Sequence, residues 1–115
     1  MSGSLLDIFD AQFATNQFSG NQLLLLKILE KFIQQYEHFD TLLIEHLQQK
    51  KLSAVKQDVH TIKGVSGNLG MRALHHACKE LEVNMAKQAT EHTLEEFLQV
   101  FRQTLTLVQN YSTEN

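Results

Sequence analysis

Ser53-Ala54-Val55-Lys56-Gln57-Asp58-Val59-His60-Thr61-Ile62-Lys63-Gly64-Val65-Ser66-Gly67-Asn68-Leu69-Gly70 is the stretch on which the reading of this chain turns. Val55, Val59, Ile62, Ser66 and Leu69 recur at steps of four, three, four and three, the spacing of one buried face of an α-helix. Ser53 is the expected N-cap and Gly70 the expected stop. At about 100° per residue, His60, Lys63, Gly64 and Gly67 fall together, roughly 80–180° away from the apolar seam. His60 is therefore expected on the solvent side, with an ammonium one turn on, above a strip of backbone bare of side chains.

The same helical spacing continues outward in both directions. Residues 5–14, with Leu5, Leu6, Ile8, Phe9 and Phe13, read as a short lid helix across one end of a bundle, followed by a turn over residues 16–21. From 21 to 50, Leu25, Leu29, Phe32, Tyr36, Phe39, Leu43 and Leu47 mark an amphipathic helix that Asp40 can break by capping a new start. Further helices are expected over 53–69, 72–88 and 93–111. The fourth carries Leu74, Ala77, Cys78, Leu81 and Met85, and the fifth carries Leu94, Phe97, Leu98, Phe101, Leu105 and Val108 behind a Thr93/Glu96 capping box. Long amphipathic helices on short turns must bury their stripes against one another. The expected fold is all-α, an antiparallel up-down four-helix bundle with an N-terminal lid helix, in one domain over residues 1–115.

Bulk properties agree with this reading and exclude several functions. The chain has 115 residues, an apolar fraction of 43%, no Pro and 5 Gly, which suits one core built of uninterrupted helices. A formal charge of −3 with no Lys/Arg block argues against nucleic acid, whose phosphates need a clustered basic face. No apolar run is long enough to span a bilayer, and Met1-Ser2-Gly3-Ser4-Leu5-Leu6-Asp7 lacks the basic region and cleavage site of a leader, so a soluble, cytoplasmic protein is expected. Cys78 has no partner for an internal disulfide and sits on an apolar seam, as a small core residue would.

Two glycines inside an exposed helix face cost on the order of 1 kcal/mol each relative to Ala. They point to a surface that something approaches closely, although glycine also permits tight helix packing or a kink, and the residues alone leave both readings open. On the approach reading, a bulky residue such as Gln at Gly67 leaves folding intact and abolishes function. His38, His46, His75, His76 and His92 lack the setting of His60 and read as ordinary surface or boundary residues.

The run His60-Thr61-Ile62-Lys63-Gly64-Val65-Ser66-Gly67-Asn68-Leu69-Gly70 resembles the signature of histidine-containing phosphotransfer (HPt) domains, His-x-(Leu/Ile)-Lys-Gly-x-(Ser/Ala)-x-x-x-Gly, at every fixed position. The resemblance extends through Met71-Arg72-Ala73-Leu74 to Cys78-Lys79-Glu80-Leu81-Glu82. It implies that His60 accepts a phosphoryl group, that Lys63 is the cation beside that group, and that Gly64 leaves room for an incoming receiver domain. It also implies that Glu82 accepts a hydrogen bond from the imidazole Nδ1–H. The spacing of the fourth helix allows this, since Glu82 borders its apolar seam and faces the crevice beside the neighbouring helix. Gly67, Val65 and Met71 are further candidates for the docking patch, and Lys79 is a secondary candidate for positive potential.

The resulting expectation is a monomeric phosphocarrier that takes its phosphoryl group from a response-regulator receiver aspartate or a sensor histidine kinase. It would pass that group to another receiver, with no ATP-binding or autokinase activity of its own. No carboxylate cluster suited to Mg²⁺ is visible, so no cofactor is expected on this chain and the Mg²⁺ is expected on the receiver. A helical-bundle metalloenzyme would need Glu-x-x-His pairs or His-Glu-x-x-His, and neither occurs. The surviving rival is an interaction module without chemistry, which phosphate uptake at His60 would distinguish.

Overall fold

The structure, a computed structural model, describes residues 5–87 and 91–115, the side chains of Glu91 and His92 excepted. Seven helices run through these residues: α1 (Leu5–Ile8), α2 (Ala11–Asn16), α3 (Gln22–Tyr36), α4 (Phe39–Gln48), α5 (Leu52–Asn68), α6 (Arg72–Ala86) and α7 (Glu91–Glu114). No strand occurs among the described residues, and no described helix is long and apolar enough to cross a membrane.

The seams expected from spacing form the core. Val55, Val59, Ile62, Ser66 and Leu69 are buried along α5, facing Leu74, Cys78, Leu81 and Met85 of α6. α7 closes the core with Phe97, Leu98, Phe101 and Val108, and α3 and α4 bring Leu25, Leu29, Phe32, Tyr36, Phe39 and Leu43. A ladder of rings runs Phe32–Tyr36–Phe39 and on to Phe97 and Phe101 of α7, with centroids 5.0–6.3 Å apart. Edge and offset contacts of this kind add to the burial of large apolar surfaces. The fully buried hydroxyls of Ser66 and Thr104 are satisfied within their own helices, Ser66 by the Lys63 carbonyl and Thr104 by the Val100 carbonyl.

Several boundaries differ from those read off the sequence. The lid segment is two short helices rather than one, because the Asp10 carboxylate caps α2 by accepting from the Phe13 N–H. Asp10 also ties the lid to the α5–α6 turn: its N–H donates to the Gly70 carbonyl at 2.9 Å, and its carboxylate pairs with Arg72 at 2.8 Å. Ile8 and Phe9 are buried there while Leu5 and Leu6 stay exposed. The long 21–50 helix breaks at Glu37–His38 instead of at Asp40. Asp40 lies in the first turn of α4, where its carboxylate accepts from Arg102 of α7 at 3.0 Å.

Ser53 is not an N-cap, because α5 already starts at Leu52 and its flanking residue, Lys51, makes no side-chain cap bond. Thr93 is likewise the third residue of α7 and buried, so it does not occupy the cap of that helix. The expected end of the fourth helix, residue 88, lies outside the described residues, as does the side chain of His92. Gly70 terminates α5 as expected, at φ +71°, with the Met71 N–H donating to the Ser66 carbonyl.

Candidate functional site

α5 and α6 run antiparallel, and the chemistry-bearing side chains bridge their interface midway along α5. His60 projects from the outer face of α5 with about two thirds of its side chain exposed, as the spacing required. From α6, Glu82 reaches across with both carboxylate oxygens engaged. Oε2 stands 3.3 Å from His60 Nδ1, and Oε1 accepts from the Lys63 ammonium at 2.7 Å. Glu82 and Lys63 are each about a quarter exposed, so the pair is partly desolvated while the imidazole is open to solvent.

This geometry determines where the imidazole proton sits. The Lys63 hydrogen bond holds the Glu82 carboxyl below its usual range against the opposing effect of burial, and the His60 hydrogen bond lowers it further. Glu82 is thus ionised at neutral pH and can only accept. The proton shared with it belongs to Nδ1. In the neutral ring with that proton placement, the Nε2 lone pair points away from the carboxylate and is available as a nucleophile.

The two glycines have different surroundings. Gly64 is exposed, and a Cβ added to it would meet nothing within 4 Å, so the surface one turn from His60 is open. At Gly67 a Cβ would stand 2.9 Å from Nδ1 and 3.2 Å from Cε1 of His75. That position makes room for a neighbouring side chain, the packing alternative that the sequence left open. The expectation that a bulky residue at Gly67 leaves folding intact does not fit this contact.

Val65 is half-buried against the core, and Lys79 is exposed on α6. Met71 must be removed from the docking patch. It flanks α6 at the turn made by Gly70, where its side chain is fully buried.

His75, read from the sequence as an ordinary histidine, is half-buried, and its Nδ1–H donates to the Lys63 carbonyl at 2.8 Å. A signal for this was available, because His75 precedes Glu82 by the same seven residues that separate Gly67 from His60. A His60–Glu82 pair between antiparallel helices therefore sets His75 opposite Gly67. His38 and His76 are exposed, as expected. His46 is not, and its Nδ1 is buried 3.9 Å from Asp58. Cys78 is fully buried, and burial, reinforced by the nearby Glu82 charge, pushes its thiol up to about 12, so it is no nucleophile. Among the described residues no three His, Cys, Asp or Glu side chains cluster to hold a metal ion.

A family model described as Hpt domain matches residues 27–111. This span runs from α3 to near the end of α7 and includes His60, Lys63, Gly64 and Glu82, leaving α1 and α2 outside. No curated protein matches the chain, and no solved structure does.

Proposed function

The chain belongs to the Hpt domain family, whose members carry phosphoryl groups on histidine in phosphorelays and are not enzymes, and on that premise we propose that His60 is the phospho-accepting residue. The observation that carries the reading is the Glu82 carboxylate shared between His60 Nδ1 and Lys63. Counting α3 and α4 as one broken limb, we read their packing with α5, α6 and α7 as an antiparallel up-down four-helix bundle, and its role is to fix that pair of contacts.

In the forward step the Nε2 lone pair of neutral His60 attacks the phosphorus of a receiver aspartyl phosphate. The N–P bond forms as the P–O bond breaks, and the aspartate leaves as a carboxylate. The phosphorylated ring keeps its proton on Nδ1 and becomes cationic, and Glu82 stabilises that charge through the same hydrogen bond. Lys63, already turned toward Glu82 one helical turn from His60, supplies positive charge for the phosphoryl oxygens. Gly64 lets the receiver backbone come close, with Val65 and Gly67 at the margin of the contact and Lys79 adding positive potential. The Mg²⁺ that organises the aspartyl phosphate belongs to the receiver. Reversal of these steps passes the group to a second receiver, and the carrier works as a monomer in the cytoplasm.

The test is incubation with several Mg²⁺-loaded, aspartyl-phosphorylated receivers, comparing the wild-type protein with His60→Gln. Acid-labile, base-stable label on the wild type and none on the folded variant is the expected result. Equal labelling of both proteins, or none of either by any receiver, would leave an interaction module without chemistry.

A further inference from the structure

The His75–Gly67 contact lies outside the residues assigned to the transfer chemistry, and it has the geometry of a second clamp on the same helix pair. Gly67 lies seven residues after His60, and His75 lies seven before Glu82, so the Gly67/His75 and His60/Glu82 pairs occupy one stripe of the α5–α6 interface. Seven residues are two helical turns, about 10 Å along the axis. Lys63 stands between the pairs and is held from both sides. Its ammonium donates to Glu82 at 2.7 Å, and its carbonyl accepts from His75 Nδ1 at 2.8 Å and from Ser66 Oγ at 3.1 Å.

From this we propose that His75 is a positioning residue: by gripping the Lys63 carbonyl through the gap left by Gly67, it sets the register and rotation of α5 against α6 that let Glu82 serve His60 and Lys63 at once. The inference rests on the phosphocarrier reading for its effect on rate, but its structural part concerns the resting protein alone. It also gives Gly67 a reason that needs no partner. The three atoms that an added Cβ would meet most closely all belong to the His75 ring. Because the Ser66 hydroxyl also donates to the Lys63 carbonyl, removing the His75 donor leaves no orphaned acceptor, and the bundle survives its loss. What changes is the freedom of α5 to slide or turn by a fraction of an ångström, and a 3.3 Å His60–Glu82 contact has little slack.

Substitutions at His75 and Gly67 separate positioning from simple packing. His75→Phe keeps a ring of similar size and removes the donor. His75→Asn restores a donor close to the place of Nδ1. Gly67→Ala pushes a methyl group against the ring. The first readout is the ¹⁵N spectrum of the His60 imidazole in the unphosphorylated proteins, which reports the nitrogen bearing the proton. Wild type and His75→Asn should hold it on Nδ1, whereas His75→Phe and Gly67→Ala should shift population toward the Nε2–H form. The second readout is labelling of His60 by phosphoramidate, a small donor that requires no protein partner. The expected rate falls about tenfold in His75→Phe and recovers in His75→Asn.

Unchanged His60 spectra in His75→Phe, or equal rate losses in the Phe and Asn variants, would overturn the positioning role. The third readout, urea unfolding, gives a cycle: Gly67→Ala should destabilise the wild type but stabilise the His75→Ala background, where the methyl group meets no ring. Destabilisation of equal size in both backgrounds would also count against it. Failure of phosphoramidate and every receiver to label the wild type would instead remove the carrier reading, and the ¹⁵N spectra would still decide the role of His75.

Discussion

Replacing Gly64 tests the open helix face in two steps. The residue lies inside α5, exposed, with no heavy atom within 4 Å of an added Cβ. Gly64→Ala therefore recovers the helix-propensity difference with no steric loss to set against it, about 1 kcal/mol of added stability. With a urea dependence of about 1–3 kcal/mol/M for a small domain, the unfolding midpoint should rise by roughly 0.3–1 M at constant slope. By the usual size scaling the thermal midpoint should rise roughly 3–6 °C.

Gly64→Gln, also a good helix former, should be no less stable than the wild type. Its side chain would stand where the receiver is proposed to approach. Transfer from a phosphorylated receiver should fall at least about tenfold, the equivalent of about 1.4 kcal/mol. Labelling by phosphoramidate should stay near the wild-type rate. Equilibrium urea unfolding with the two labelling assays covers all of this. A lower unfolding midpoint for Gly64→Ala would refute the open-face geometry, and undiminished receiver transfer to Gly64→Gln would refute the docking role. Such a gain in stability at the expense of function is expected wherever a surface has been kept bare for a partner.

Further outcomes follow from the rest of the molecule. The carboxyls of Glu82, lowered chiefly by the Lys63 hydrogen bond, and of Asp10, lowered chiefly by the Phe13 N–H, titrate lower in the folded than in the unfolded chain. Their stabilisation is therefore complete above the unfolded value near 4 and is lost as pH falls through the lowered folded values. Urea midpoints measured from pH 6 down to pH 2 should decline less steeply in Glu82→Gln and in Asp10→Asn than in the wild type. Asn21 caps α3 by accepting from the Leu24 N–H at 3.0 Å, so Asn21→Ala should cost about 1 kcal/mol by the same unfolding assay, with the site unaffected. Cys78, buried and pushed up to about 12, should resist thiol reagents at pH 8 in the native protein and react promptly once urea unfolds it.

The buried seams were legible because periodicity alone determines which face of a helix goes inside. Val55, Val59, Ile62, Ser66 and Leu69 are all buried, as their four-three steps required. The exposure of His60 followed from the same arithmetic. Caps were less legible. Ser53 and Thr93 have the right side chains, but the helices start one and two residues earlier, at Leu52 and Glu91, and composition does not fix a boundary to that accuracy. The break expected near Asp40 occurs, but the cap of α4 is His38, two residues earlier, and the Asp40 carboxylate answers instead to Arg102 of α7, a tertiary partner that no local pattern encodes.

Met71 was a docking candidate as an apolar residue beside the glycines, yet it follows the left-handed turn at Gly70 and is fully buried. Gly64 and Gly67 were indistinguishable as residues. Only the position of His75 across the interface separates a bare surface from a packed one. The bond from Glu82 to Lys63 was likewise unforeseen, since it depends on the reach of two flexible side chains across the helix pair.

The proposed carrier chemistry turns on Glu82 holding the proton on His60 Nδ1 and leaving Nε2 to accept the phosphoryl group. The most direct measurement is heteronuclear NMR on protein ¹⁵N-labelled at histidine and phosphorylated by a Mg²⁺-loaded receiver aspartyl phosphate, reading which imidazole nitrogen couples to phosphorus. A single ³¹P–¹⁵N coupling at His60 Nε2, with Nδ1 still protonated, is expected. Coupling at His60 Nδ1, or at any of the other histidines, would contradict it.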